Sequence, residues 1–397
     1  MVDVNDAEAA ALEAFRAEAR AWLEENVPQS LRHKPDMTLE QLESGASPSA
    51  DQDIWKQRIV AKGWGTPTWP KKYGGGELTQ AQARVLQQEM ARLGVSNPIV
   101  GMGPGMFGHT LLEYGNEEQK MLHLNRISRG EVRWCQGYSE PGAGSDLASL
   151  QTRAIDKGDH FLVNGQKIWT SGAHLSDWCF CLVRTDTTKK HEGISFLLID
   201  MHSPGVEARP ILMISGASGQ CQTFFTDVKV PKENLVGELN KGWTIAKRLL
   251  QFERSGQGGM RGAPGRSISD IAKHYVGLDE EGRLADVDLR ARLAAHMINA
   301  RAHTLTMQRN VIEARGRNNP SAATSYMKNS GTQLGQQAAE LTLEIMGSRG
   351  AGWEGEGFSE EELRAVRSML GGKASTIYGG SQEVQYNIIS KRILGLP

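Results

Sequence analysis

Glu253 ends an apolar stretch, LLQFERSGQGG at 249–259, beside Arg254 and ahead of a glycine-rich run. On a helix, Trp243, Ala246, Leu250 and Glu253 are spaced by three, four and three, so they share one stripe. A carboxylate on an apolar stripe is not ordinary solvated surface. Desolvation would raise its pKa toward that of a general base. A nearby cation, Arg254 or another, would instead make it a structural ion-pair partner. The local residues leave both readings open.

Two further stretches carry polar chemistry. WCQGYSEPGAGSD at 134–146 holds one proline and three glycines, which predict an irregular loop whose N–H groups are not committed to a ladder. Ser139, Ser145 and Asp146 add polar side chains, and Trp134 and Tyr138 add flat surfaces. KIWTSGAH at 167–174 repeats the theme, with Trp169 as a plane and Thr170 and Ser171 as donors. Two such loops flanking one β domain suit a flat, polar-edged cofactor such as a flavin; an ordinary interdomain turn is the plainer alternative. GMGPGMFG at 101–108 contains G-x-G-x-x-G, but VSNPIV before it is a poor strand. It reads as a connector between helices rather than a dinucleotide fingerprint.

The elements that must position these residues follow from patterning. A chain of 397 residues exceeds one ordinary core, so two or three domains are expected. Residues 6–26, with Ala10, Phe15, Ala19, Trp22 and Leu23 on one face, read as a helix, as do 52–62, 78–93 and pieces of 106–129 broken at Gly115. The polar stretch ending at Pro48 reads as a loop. From 150 to 230 the chain turns β-rich: GISFLLIDM and CQTFFTDVKVP read as strands, and Asn164-Gly165 inside HFLVNGQKIWT predicts a hairpin. Helices return from 241. Residues 286–315 show Leu289, Leu293, Met297, Ala300, Thr304, Met307 and Val311 at spacings of three and four. Residues 331–346 and 381–394 follow, the last with Val384, Ile388 and Ile389 inward. The expected domains are 1–130, 131–236 and 237–397.

The net charge of −1 gives no basic footprint for nucleic acid and no polybasic membrane patch. The start of the chain lacks a cationic segment and apolar run, and no run reaches the length of a bilayer span. The four cysteines are Cys135, Cys179, Cys181 and Cys221. Cys179 and Cys181 alternate in DWCFCLVR and read as core packing on one strand face; no metal-ligand spacing is present. A reduced, cytosolic protein is expected.

WCQGYSEPGAGSDLASLQTRA, followed by VNGQKIWTSGA, resembles the flavin-binding signature of the acyl-CoA dehydrogenase family. YGNEEQK at 114–120, DVKVPKENLVGELNKGW at 227–243 and IYGGSQEVQYNIISKRILGLP at 377–397 resemble further family segments in the family's order. The resemblance spans essentially the whole chain. It implies an α+β fold of N-terminal helical domain, central β domain and C-terminal four-helix bundle. That is the helical–β–helical order read independently above.

The resemblance also implies FAD, an acyl-CoA substrate, and a carboxylate that removes the α-proton while the β-hydride passes to flavin N5, in the chemistry of lipid β-oxidation. An electron-transfer flavoprotein would accept the electrons. Gln136, Tyr138 and Ser139 would line the flavin, with Trp169, Thr170 and Ser171 about its ring. Gly347, Ser381 and Glu383 stand where the family makes further flavin contacts. Gly144, Ser145 and Arg254 would lie on the substrate side. Many members carry the base in a Tyr-Glu-Gly stretch; here it reads Tyr378-Gly379-Gly380, which has no carboxylate. Other members place it in a Glu-Arg pair on a bundle helix, which corresponds to Glu253-Arg254. An Arg-x-Thr-Phe-Gly stretch that reaches a neighbouring subunit's flavin is absent from AKHYVGLDEEGRLADV. The alternatives are a non-catalytic or half-site subunit of a mixed acyl-CoA dehydrogenase complex, or a flavin oxidase or monooxygenase on the same scaffold; a homo- or hetero-oligomer, dimer or tetramer, is expected.

Overall fold

The computed structural model describes residues 4–33, 45–257, 266–313 and 323–396. Most of the polar stretch ahead of Pro48 lies outside the described residues. The chain forms two compact units. One comprises Met1–Ile211 with Ser218–Pro264, the other Leu212–Ala217 with Gly265–Pro397.

The first unit opens with helices α1 (Val4–Asn26), α2 (Ala50–Ala61) and α3 (Gln80–Arg92). Ser49 with Gln52 and Thr79 with Gln82 form reciprocal capping boxes that fix where α2 and α3 start. Phe15, Ala19 and Leu23 of α1 pack against Trp55, Ile59, Val85, Leu86 and Met90. Trp22 is half-buried on the same cluster, whereas Ala10 is exposed, because α1 outruns its partners at that end. The Glu89 carboxylate, 2% exposed, accepts from Arg16 at 3.1 Å, Arg20 at 2.9 Å and Arg92 at 2.9 Å. α4 (Gly108–Tyr114) and α5 (Glu117–Ser128) follow a π-helical turn at Gly103–Phe107. GMGPGMFG therefore runs between helical pieces with no strand before it, as the connector reading expects.

Seven strands form one sheet: β1 (Trp134–Gly137), β2 (Arg153–Asp156), β3 (His160–Ser171), β4 (Trp178–Arg184), β5 (Ile194–Asp200), β6 (Val206–Ile211) and β7 (Gln220–Pro231). The order is β1-β4-β2-β3-β7-β6, with β5 also on β4. β4 is buried on both faces. Phe180 and Leu182 point to a core shared with Phe107, Trp134 and Leu249, while Cys179, Cys181 and Val183 face Cys135, Cys221 and Phe225. The same-face reading of Cys179 and Cys181 holds, and all four thiols are free and buried.

The Asn164-Gly165 hairpin does not form. β3 runs unbroken through it, and the register against β7 shifts between Val163 and Gly165. Gly165 has φ +154°, and a Cβ there would stand 2.5 Å from Thr152 Oγ1. Asn164 is tied down by exchange with Asp227: its amide donates to the carboxylate at 3.0 Å, and Asp227 N–H donates to its carbonyl at 2.9 Å. The glycine faces a bulge in β7 at Asp227, not a turn. The turn that joins β2 to β3 is the DKGD run, 156–159.

α6 (Gly242–Gln257) closes the first unit. A Cβ on Gly242 would meet the Ser195 backbone carbon at 2.5 Å, so only glycine permits this approach to β5. Asn240 N–H donates to Ser195 Oγ at 2.8 Å, and the Thr185 hydroxyl lies 2.7 Å from the same oxygen. The start of the helix is thus pinned, and Ile245, Ala246 and Leu249 are buried.

The second unit contains α7 (Ile268–Tyr275), α8 (Val287–Glu313), α9 (Ala323–Met346), α10 (Glu360–Gly372) and α11 (Gln382–Arg392). Its apolar core gathers Ile271, Leu284, Leu289, Leu293, Ile345 and Met346. The long stripe expected on α8 is buried only at Leu289 and Leu293. Met297 is 49% exposed and Thr304 is exposed, while Ala300 and Met307 are half-buried. The side chain of Val311 lies outside the described residues. The facing part of α9 is polar, with Ser325 and Asn329 buried and Ser330 2.8 Å from His303 Nδ1. On α11, Val384, Ile388 and Ile389 are half-buried and Gln385 is the buried residue.

Hydrogen bonding by Arg20, helped by Arg92 and Arg16, holds Glu89 at a pKa of about 2 against a reference of 4.5. A lowered folded pKa contributes stability above the unfolded value and loses it on acidification. The N-terminal helices should therefore lose this contribution between about pH 4.5 and 2. Glu89→Gln should destabilise them by roughly 3 kcal/mol at neutral pH. Denaturant unfolding of wild type and variant across that range checks both; equal stability at pH 7 would contradict it.

Candidate functional site

The two polar loops of the sequence are joined by a buried ion pair. Lys167, on β3, is 0% exposed. Its ammonium donates to Glu140 Oε1 at 2.8 Å and to the Tyr138 carbonyl at 3.1 Å. Glu140 also accepts from Gln151 N–H at 2.6 Å and Thr152 N–H at 2.9 Å. Burial alone would raise the Glu140 pKa; the Lys167 charge and these hydrogen bonds more than offset that and lower it. Beside the pair, Ile168 N–H donates to the Ser139 carbonyl at 2.9 Å. The loop bearing Ser139 and the strand end bearing Trp169 and Thr170 are thus held in one frame.

Sequence reasoning missed Glu140 and Lys167, yet a signal was present. Phe161 and Val163 alternate inward on β3, and continuing by twos reaches Lys167. An inward lysine demands a carboxylate. Arg184 was missed as well. Only 6% exposed, it donates to the carbonyls of Ala148 at 2.5 Å, Lys190 at 2.7 Å, Lys189 at 2.9 Å and Leu150 at 3.3 Å. It fixes the far side of the SEPGAGSD loop. Asp146 there pairs with Lys190 at 2.8 Å, while Gly144 and Ser145 lie on the exposed tip.

Trp134 and Tyr138 do not offer flat surfaces. Trp134 packs on Phe107, with centroids 4.1 Å apart, and Tyr138 lies edge-on to Phe180 at 6.1 Å. Both rings are core because the shared helix–sheet face of the unit closes over them. Gln136 and Ser139 are half-buried beside them.

Trp169 does offer a plane. β3 slips register against β7 between Ile168 and Thr170, and Trp169 takes φ +60°, a strained conformation for an aromatic residue. The bulge leaves its indole 53% exposed while turning Thr170 inward. The Thr170 hydroxyl is buried and, among the described residues, has no hydrogen-bond partner. Ser171 Oγ donates to Gln220 at 3.1 Å. An exposed aromatic plane, an orphaned hydroxyl and half-buried Gln136 and Ser139 fit a flat, polar-edged group.

The remaining predicted residues divide. Glu253 and Arg254 lie in the backbone of α6, and their side chains lie outside the described residues. Helical spacing places Glu253 on the stripe of buried Ala246 and Leu249, flanked by half-buried Trp243 and Leu250. Gly347, Ser381 and Glu383 belong to the second unit. Gly347 ends α9 at φ +56°. Ser381 caps α11, and its hydroxyl holds the exposed Glu383 carboxylate below its ordinary pKa.

A sheet carrying such a frame between helical segments offers a surface for a flat, polar-edged ligand. The acyl-CoA dehydrogenase N-terminal, middle and C-terminal domains match residues 10–131, 135–228 and 240–394. The chain is 35% identical to acyl-CoA dehydrogenase IpdE1 of Mycobacterium tuberculosis, covering 97% of this chain and 98% of that one. Among solved structures it resembles the Tcur3481-Tcur3483 steroid ACAD, with TM-score 0.79 and 31% identity over 98% of each chain. It also resembles the ChsE4-ChsE5 complex from Mycobacterium tuberculosis, with TM-score 0.74 and 29% identity over 98% of each. The chain belongs to the acyl-CoA dehydrogenase family and is an oxidoreductase of that class. Among the described residues no helix is long and apolar enough to cross a membrane.

Removing either half of the buried pair leaves an unpaired interior charge. Glu140→Gln and Lys167→Met should each cost about 3–5 kcal/mol, and the double variant should cost clearly less than their sum. Because the folded Glu140 pKa is lowered, its contribution is fully present above the ordinary carboxylate pKa and is lost below it, as pH falls through the lower folded value. A double-mutant cycle by denaturant unfolding checks this; additive losses would contradict it.

Proposed function

We propose that the chain catalyses FAD-dependent α,β-dehydrogenation of an acyl-CoA thioester to the 2-enoyl-CoA, with Glu253 as the α-proton base. One observation carries the assignment of the base. α6 is pinned at Gly242, and helical spacing puts Glu253 on its buried stripe, while the alternative position is Gly379. For a base at this position the chemistry asks for a desolvated carboxylate, because desolvation raises its pKa toward that of the weakly acidic α-proton. Arg254, next in sequence, would lie on the substrate side, as the family resemblance implies.

Gln136, Tyr138 and Ser139 would hold the flavin's polar edge, Tyr138 through its backbone because its ring is core. Trp169 would cover the ring, and Thr170 and Ser171 would reach its N5 side. The bound flavin supplies the hydride acceptor. Gly144 and Ser145, exposed on the Arg184-braced loop, would lie along the acyl-CoA. Gly347, Ser381 and Glu383 would make the flavin contacts that the family resemblance assigns to their positions. An electron-transfer flavoprotein would take the electrons onward.

The missing bulk at Gly379-Gly380, with the likeness to the steroid ACAD Tcur3481-Tcur3483, supports a branched, long or ring-bearing acyl group. A second reading has its own support: a chain that works in a mixed assembly. The segment after α7 lacks the family's arginine stretch, and its one arginine, Arg283, is spent on Asp279 at 3.0 Å and Glu281 at 2.6 Å. The resemblance to the ChsE4-ChsE5 complex favours the same reading.

Glu253→Gln should retain bound flavin and slow its reduction by substrate about 10²–10⁴-fold, the usual worth of a positioned base. Stopped-flow absorbance measures it, and an unchanged rate would remove Glu253 from the mechanism. Turnover of straight, branched and ring-bearing thioesters tests the substrate class. A sharp preference for short straight chains would contradict it.

A further inference from the structure

A second cleft lies wholly within the first unit and shares no residue with the loops at 134–146 and 167–174. The loops at 65–69 and 97–101 face the π-helical turn and His109 of α4 across a cavity of about 290 Å³. The glycine-rich run at 101–108, which the flavin frame does not use, supplies one wall. Hydrogen bonds within the chain fix these walls in advance. The Asn97 amide donates to the Gly65 carbonyl at 2.8 Å, and its side-chain carbonyl accepts from Ile99 N–H at 2.9 Å. Trp69 N–H donates to the Thr66 carbonyl at 3.1 Å, Leu78 N–H to Pro67 at 2.8 Å, and Gly105 N–H to Gly101 at 3.1 Å. A largely pre-formed concave site of this kind suits a small ligand.

Three features define its occupant. Among the described residues no lysine, arginine, aspartate or glutamate lines the cleft. His109, edge-on to Trp69 with ring centroids 5.9 Å apart, is pushed by burial below its ordinary pKa and is neutral at neutral pH. A charged ligand would therefore lose water and gain no counter-charge. The walls are otherwise flat and apolar. Pro67 and Pro104 line them, and a Cβ at Gly101 or Gly105 would meet nothing within 4 Å, so the backbone there faces open space. One polar group remains. Thr66 is 4% exposed, and its hydroxyl is buried with no hydrogen-bond partner among the described residues. Such a hydroxyl can both donate and accept, and a buried one is rarely left unpaired.

We propose that this cleft binds an uncharged one- or two-ring alcohol or phenol, whose hydroxyl pairs with Thr66 while its ring packs on the proline and glycine walls. The site is separate from the flavin frame and depends neither on the dehydrogenation nor on the identity of its base. Thr66→Val removes the hydroxyl and keeps the shape. Gly105→Leu fills the open space, at a position whose backbone carries no left-handed strain.

Equilibrium dialysis of the full-length holoprotein with β-naphthol, naphthalene and β-naphthoate tests it. These probes share a ring system and differ in hydroxyl and charge. The wild type should bind β-naphthol about tenfold more tightly than either of the others, roughly the worth of one good hydrogen bond or of avoiding an unpaired charge. Thr66→Val should weaken β-naphthol about tenfold and leave naphthalene unchanged, and Gly105→Leu should abolish binding of both. Equal binding of the three probes, or β-naphthol binding that both variants leave intact, would overturn the proposal. Denaturant unfolding without ligand gives a second reading. Thr66→Val should be at least as stable as wild type, because it removes an unpaired buried hydroxyl; a clear loss of stability would show that the hydroxyl is already bonded and would overturn its role. Should Gly105→Leu fail to fold, Thr66→Val with the three probes decides the question.

Discussion

The buried contact between Lys167 and Glu140 is the constraint on which the first unit's site depends. An ammonium and a carboxylate taken out of water are costly to leave alone and strongly attracted once together. Glu140 sits in the SEPGAGSD loop and Lys167 two residues before Trp169. Satisfying the pair therefore fixes the relative placement of the Ser139 loop and the Trp169–Thr170 bulge. The other devices serve the same frame: Ile168 bonds Ser139, Arg184 ties down the loop's far side, and the register slip exposes one indole while burying one hydroxyl. Strain at Trp169 persists because the surrounding pairs over-determine it.

A second constraint acts on α6. Its close approach to β5 depends on the absence of a side chain at Gly242, and Asn240, Ser195 and Thr185 lock the entry. The helix then projects from a fixed point, so the direction of its stripe is set by packing at Ala246 and Leu249. The second unit is organised differently. Among the described residues its apolar core joins α7 to the start of α8 and the end of α9, and polar side chains of α9 take over further along.

Much of this was legible in the sequence. Strict alternation placed Cys179 and Cys181 on one strand face, and the helical–β–helical order followed from changes in period. What was not legible came from tertiary override. Asn164-Gly165 has hairpin chemistry, but β7 carries a bulge opposite it at Asp227, and the close approach of Thr152 leaves no room for a side chain at 165, so the same residues serve a continuous strand. Trp134 looked like a platform because its loop is glycine-rich, yet β1 pairs in parallel with β4 and carries the ring into the core. The α8 stripe had the right spacing for burial along its whole length. Spacing alone cannot say how far a partner helix supplies apolar surface. Of the site, the two polar loops could be read directly, whereas the flavin-edge roles came from the family resemblance. The ion pair that aligns them required combining strand alternation with the rule that a buried charge is paired.

The central question is whether this chain oxidises a thioester with its own flavin. The direct measurement is an anaerobic titration of the purified single chain with straight, branched and ring-bearing acyl-CoA thioesters, following flavin absorbance. Bleaching by a bulky class of thioester is the predicted result. A bound flavin that no thioester bleaches would contradict the account.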